Sequence, residues 1–269
     1  MNENNYVHGY TNRESLRLED QANTLSELLH HDSVFPDGSL ILEAGCGTGA
    51  QTKIIAAKNP DSKFISIDIS EQSLIVAKKT INESGITNVE FQTGNIYDLE
   101  FADDYFDHVF VCFVLEHLPD PLKVLSLLKR VLKKGGSITL IEGDHGSAYF
   151  YPRSTYALQS IDALIKLQAL TGGDALIGRQ LYPLLVQSGF SNCKVSLRMV
   201  YADSSKPELV EGFTKNTFTA MVEGIREAAI EKNLIEKDVF EKGISDLYRT
   251  AEEDGMFCYT FFKGTGIKK

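Results

Sequence analysis

The segment Leu40-Ile-Leu-Glu-Ala-Gly-Cys-Gly-Thr-Gly49 sets three glycines at alternate positions, directly after a short apolar run and before a helical pattern. Glycine belongs where backbone takes unusual dihedrals or must touch a ligand closely. The fingerprint that cradles a pyrophosphate is GxGxxG. Counted from Gly45 its third glycine would fall at Ala50, whereas here it stands at Gly49. The tighter spacing, led by Glu43, suits a nucleoside without a pyrophosphate. Asp68 follows 19 residues past Gly49, at the end of a second apolar run. A carboxylate at a strand's C-terminal edge can accept hydrogen bonds from both ribose hydroxyls. Thr93-Gly94-Asn95-Ile96 should border an adenine ring, and Cys112-Phe113 through His117 should face the reacting group. Candidates for proton transfer are His117, Glu142, Asp144 and His145, the histidines because imidazole titrates near neutrality. The bland alternatives stay open: Asp68 as a solvated strand end, His117 as a capping histidine, and loop hydrogen bonding for the others.

The elements that would position these residues follow from periodicity and punctuation. Strands are expected at 39–43, 63–68, 88–92, 107–113 and 137–142, with helices at 15–30, 49–58, 70–83 and 121–133 between or before them. Ser70 reads as an N-cap with Ser73 in the first turn, and Gly85 as the stop. Strands alternate with helices and the central ones are apolar throughout, which implies a parallel sheet covered on both faces. Beyond residue 150, helices are expected at 154–170 and 177–188. A strand follows over 191–201, with Val195, Leu197, Met199 and Tyr201 as its apolar face. Helical patterns at 206–231 and 235–251 precede a last strand at 256–262. The expected fold is thus α/β, a doubly wound, mostly parallel sheet of seven strands with the last antiparallel, plus a helical cap. Its expected divisions are an N-terminal cap segment (1–30), a core (31–150), helices and a sixth strand completing it (151–203), a helical cap insertion (204–254) and the last strand and tail (255–269).

A formal charge of −10 disfavours adhesion to phosphate backbones. The four scattered cysteines lack metal-ligand spacing, so no metal site is expected, and Cys46 and Cys112 read as reduced packing residues of a cytoplasmic protein. The polar N-terminus and the lack of any 18-residue apolar run predict neither a signal peptide nor a membrane span.

Glu43 to Gly49, Asp68, Gly94-Asn95, Leu115-Glu-His-Leu-Pro-Asp-Pro121 and Gly135-Gly136 together resemble the class I S-adenosylmethionine (AdoMet)-dependent methyltransferases over residues 39 to about 145. The segment 176–190 is similar to a helix of that family's small-molecule branch. The resemblance implies AdoMet as cofactor, with Glu43 and the Gly45–Gly49 backbone on its methionine part, Asp68 on the ribose, Ile69 on the adenine and Asn95-Ile96 at its edge. Many members carry Asp where this chain has Asn95, which weakens that contact. Cys46, Gln51, Ser73, Gly94, Cys112, Phe113 and His117 complete the implied cofactor set. An N-terminal lid would add Tyr10 and Gln21, with Arg17 and the stretch from Tyr6 as further candidates; the alternative is that residues 1–12 are simply loose.

The implied function is methyl transfer to a small-molecule acceptor by a monomer or homodimer, without nucleic acid or membrane. Tyr149, Phe150, Tyr151, Phe213 and Phe218 hint at an apolar acceptor, or else form the cap's core. A protein or RNA methyltransferase and a non-catalytic AdoMet-binding regulator are the alternatives. The amino-methylase loop [N/D]PP[Y/F/W] and the Pro-Cys pair of cytosine C5 chemistry are both missing, and the glycine spacing argues against a nicotinamide oxidoreductase.

Overall fold

The computed structural model describes residues 12–269, with side chains from residue 20 onward. Its elements are α1 (Asn12–His30), β1 (Leu40–Ala44), α2 (Ala50–Lys58), β2 (Lys63–Asp68), α3 (Glu71–Glu83), β3 (Val89–Thr93), β4 (Phe106–Cys112), α4 (Pro121–Val131), β5 (Leu132–Gly143), β6 (Tyr149–Tyr151), α5 (Thr155–Leu170), α6 (Leu181–Gln187) and β7 (Ser191–Asp203). A broken helical run follows, with α7 (Pro207–Leu209), a π-helical stretch Val210–Thr219, α8 (Ala220–Gly224), α9 (Arg226–Glu231) and α10 (Lys237–Arg249), before β8 (Met256–Ile267).

Strands β3-β2-β1-β4-β5 are mutually parallel, and β8 lies antiparallel beside β5. All of β8 pairs with β7 on its other side, while Met256–Cys258 pairs with β6 on the side of β5. The seven expected strands are therefore present, and an eighth, β6, prolongs the β5 side of the sheet by three residues. Its alternation is too short to register as a strand in sequence; β8 outruns β5 at its N-terminal end, and β6 supplies the missing ladder partner.

Two apolar layers sandwich the sheet. Ile41, Phe64, Phe110 and Ile141 pack with α1, α2, α5 and the helices after β7, through Leu25, Leu29, Ile55, Leu164, Phe213, Phe218 and Leu247. Leu42, Ile65, Val109 and Leu140 pack with α4 and α6, through Val124, Leu128, Leu181 and Leu185. Alternate residues of each central strand thus enter opposite layers, as strand geometry requires. Helix boundaries follow local chemistry: the Ser70 hydroxyl accepts from the Ser73 amide at the start of α3, and Asp120 caps α4 with Pro121 at its first position. Gly85, just past α3, takes φ +69°.

Among the described residues no helix is long and apolar enough to cross a membrane, and no group of His, Cys, Asp and Glu could hold a metal ion. All four cysteines are unpaired.

Candidate functional site

The strand order places the C-terminal ends of β1, β2 and β4 side by side, and the turn after β1 crosses to the next strand. The amides of Gly45 and Cys46 both donate to the Ile67 carbonyl. The Gly47 amide then donates to Asp68 Oδ2 at 2.8 Å, and Asp68 Oδ1 accepts from the Ser70 amide at 2.9 Å. The glycine turn and the carboxylate are thereby one hydrogen-bonded unit.

The three glycines have different tasks. All have positive φ: +82° at Gly45, +52° at Gly47 and +80° at Gly49. A Cβ on Gly45 would strike the Val114 side chain at 2.5 Å, and one on Gly49 would press on Ala77 of α3 at 3.0 Å. Those two permit close packing. A Cβ on Gly47 meets nothing within 4 Å, so the turn opens there onto free space, with the Asp68 carboxylate beside it.

Glu43 lies behind the turn. It is buried, and its Oε2 accepts from the Ser66 hydroxyl at 2.6 Å. Burial pushes its carboxyl up to about 7, against the pull of that hydrogen bond; the nearby Asp68 charge adds to the rise. Burial raises Asp68 too, opposed by the amides of Ser70 and Gly47. Two carboxyls raised in this way favour a cationic ligand, because a nearby positive charge repays the cost of ionising them.

On the far side, Asn95 Oδ1 accepts from the Tyr97 amide, which fixes an Asx turn beyond β3, and the Gly94 amide donates to the Asp68 carbonyl. Ile69 is half-buried and Ile96 buried. Phe113 sits at φ +59°, a strained value for a bulky residue, and its ring packs on Phe261 at 5.4 Å. Cys46 and Cys112 are buried, and burial holds both thiols up in the protonated form. Ser73 is buried in the first turn of α3. Gln51 turns toward α1, its Oε1 bonded to His30 Nε2 at 2.8 Å. Gln21 is also buried. Tyr10 and the residues before it lie outside the described residues, as does the Arg17 side chain.

The four proton-transfer candidates lie at or just past the C-terminal ends of β4 and β5, in unequal settings. Glu142 is fully buried; its Oε1 accepts from the amides of Val114 and Leu115 at 3.0 and 2.8 Å, and its Oε2 has no partner among the described residues. Burial, then the charge of Glu116, keeps its carboxyl protonated well above the usual range. Asp144 is buried under a bidentate bond from Arg179 (2.5 and 2.7 Å) and also accepts from the Gly146 amide. His145 is buried with Nδ1 2.8 Å from the Tyr259 hydroxyl. His117 keeps partial exposure, with Nε2 3.7 Å from Glu116 Oε1. Glu116 is braced from α5, since Gln168 Nε2 bonds both its carbonyl and its carboxylate.

Arg179, Gln168, Tyr259 and His30 went unnoticed in sequence. Their partners lie 35, 52, 114 and 21 residues away, and only the segment holding Arg179 carried any signal. Of the aromatic residues expected near an acceptor, Phe213 and Phe218 are core, packed on Phe257 and Tyr259. Phe150 stacks on Phe257, while Tyr149 and Tyr151 are exposed on the opposite side of the sheet.

A family model described as a methyltransferase domain matches residues 36–189. The chain belongs to that family of methyltransferase domains. It is 36% identical over 150 residues to an uncharacterized methyltransferase of Schizosaccharomyces pombe, covering 52% of this chain and 52% of that protein. It is also 36% identical over 107 residues to demethylmenaquinone methyltransferase of Bacillus velezensis, covering 39% and 46%. The chain spans about half the length of the curated relatives it matches. Among solved structures, phosphoethanolamine N-methyltransferase 2 of Haemonchus contortus, in complex with S-adenosyl-L-methionine, shares the fold with a TM-score of 0.57 at 18% identity, covering 91% of this chain and 52% of that one.

Proposed function

We propose that this chain is an AdoMet-dependent methyltransferase acting on a small-molecule acceptor. The observation that carries the proposal is the Gly47–Asp68 unit: a side-chain-free opening beside a carboxylate, at the sheet edge where two parallel strands end. The residues fit the cofactor. Each Asp68 oxygen spends one lone pair on a backbone amide and keeps another for a ribose hydroxyl. Ile69 and Ile96 offer apolar surface to the adenine, and the Asn95 amide nitrogen can donate to a ring nitrogen. Gly47 leaves room for the methionine part, and the raised carboxyls of Glu43 and Asp68 favour its positive charges. Cys46, Ser73, Gly94, Cys112 and Phe113 line or support this cradle.

When bound, AdoMet supplies a methyl group already activated by a sulfonium. The chain's own task is to hold the acceptor in line with that methyl, to exclude water, and to take up a proton where the acceptor carries one. Of the four proton-transfer candidates we assign this last role to His117, which alone combines partial exposure with a neighbouring carboxylate. Glu142 and Asp144 are assigned to shaping the loops, and His145 to holding its loop against Tyr259. A small acceptor is supported by the helices over the sheet and by the small-molecule substrate in the name of the Bacillus velezensis relative. The formal charge of −10 argues against RNA. We further propose a cytoplasmic location, which suits four unpaired cysteines.

Calorimetric titration of the chain with AdoMet tests the reading. Binding in the micromolar range is expected, and Asp68→Ala should weaken it by about 100-fold, the loss of two hydrogen bonds to a charged group. Unchanged affinity in that variant would remove the ribose assignment. Label transfer from AdoMet into a metabolite mixture separates an enzyme from a mere binder.

A further inference from the structure

Strand β7 is inside out. Its apolar alternation, Val195, Leu197, Met199 and Tyr201, is the pattern of a core-facing strand. Yet Leu197, Met199 and Tyr201 are 65%, 60% and 40% exposed, while Arg198, Val200 and Ala202 are turned inward. Arg198 is buried because Asp32 and His31 at the end of α1 engage it. The register extends this apolar face across three strands: Tyr201 lies in one row with Cys258 and Tyr149, Met199 beside Thr260, and Tyr151 beside Met256. Tyr149 and Tyr151 are 70% and 58% exposed. Helix α6 covers the same face only lower down, where Leu181, Leu185 and Phe190 pack over Gly264 and Gly266. Above it, no helix among the described residues covers these side chains.

We infer that this β6–β8–β7 face is the seam of a homodimer, in which two copies stack their bare sheet faces about a twofold axis. Three observations select a second copy. The first is area. At about 200 Å² for a whole large side chain, the exposed fractions of the five residues amount to about 600 Å² per copy, so two apposed faces hide about 1,200 Å², the lower bound of a specific interface. The second is shape, since two antiparallel sheets packed face to face are a standard solution for a face without helices. The third is charge. The five side chains are uncharged and Lys206 Nζ lies over the Tyr201 ring at 4.9 Å, so between two chains of formal charge −10 the carboxylates stay at one end of the face. Its upper rim carries Asp203, Glu253 and Asp254, beside Lys206 and Arg249. That acidic end would repel an anionic lipid surface.

Sedimentation velocity of the full chain over a concentration series is the test. The wild type should show a concentration-dependent dimer, and Leu197→Lys/Met199→Lys should raise its dissociation constant at least about tenfold, with Tyr149→Lys doing the same from the other edge of the face. All three side chains are exposed, so circular dichroism and AdoMet affinity should stay at wild-type values, and Ile75→Lys on α3 should leave the dimer intact. Hydrogen exchange gives a second readout: protection of this face should fall on dilution. A wild type that stays monomeric throughout overturns the inference, as does a dimer indifferent to these substitutions. Protection independent of concentration overturns it in favour of residues 1–11 as the cover. A monomer that cosediments with phosphatidylglycerol vesicles through the same residues overturns it in favour of lipid.

Discussion

The two ends of the candidate site are built by different means. At β1 and β2, each polar group is held by a neighbour across one strand pair or within one turn: Gly47 by Asp68, Ser66 by Glu43, Ser73 by Ser70. At β4 and β5, the groups are held from helices and strands far along the chain: Asp144 by Arg179, Glu116 by Gln168, His145 by Tyr259. The first end keeps open space in front of Gly47; the second is filled, with three buried side chains already engaged. The contrast teaches that the cofactor end is a local design, whereas the acceptor end is assembled by the whole fold. Variants at the first should therefore lose binding more than stability, and variants at the second the reverse.

The sharpest way to break this comparison is Glu142→Ala. It strips the Val114 and Leu115 amides of their acceptor inside the protein, at a cost of about 3–4 kcal/mol by chemical denaturation. Glu142→Gln keeps an oxygen there and should cost under about 1 kcal/mol. Equal effects of the two would mean that the turn after β4 is held by something else.

Next comes pH. The folded Glu43 carboxyl titrates near 7 against an ordinary 4.5, so the native state holds this proton longer than the unfolded chain. Its contribution to stability is complete below about 4.5 and is lost as pH rises through about 7, a swing of up to about 3 kcal/mol. Glu43→Gln should flatten that slope in denaturation curves taken across the same window.

A smaller effect is expected at Arg179→Ala, which leaves the buried Asp144 carboxylate without its cation. A fully buried pair loses about 3–5 kcal/mol when broken; the half-exposed guanidinium reduces this to about 2 kcal/mol, with AdoMet affinity unchanged. The glycines give the finest division. Gly49→Ala, strained in φ and pressed on Ala77, should lower stability by about 1–2 kcal/mol. Gly47→Ala should lower it by about 1 kcal/mol while weakening AdoMet binding more than Gly49→Ala does. If Gly49→Ala proves the worse binder, the division of tasks among the glycines is wrong.

Legibility in the sequence follows the same divide. The strand runs, the Ser70 cap, Pro121 at the head of α4 and the proximity of Gly47 to Asp68 all depend on residues within a turn or one crossover of each other, where periodicity and punctuation carry the information. The engagement of Asp144 by Arg179 does not, because any carboxylate at the end of β5 reads as a candidate base until a distant cation is placed on it. The run 206–231 read as one helix, yet Thr217 back-bonds to Gly212 within a π-helical stretch; that widening answers to packing against α1, where Gly212 meets Thr24. Strand β7 showed its alternation plainly, but alternation does not say which face is wet.

The position of β8 in the sheet bears on how the molecule is made. It is the last of the eight strands to be synthesised, yet it sits between β5 and β6 on one side and β7 on the other. Until residues 256–267 emerge, a nascent chain holds two unpaired strand borders with a gap between them, each able to capture a stray strand. The β1–β4 half can close early during translation; the far third is sealed in a single final insertion.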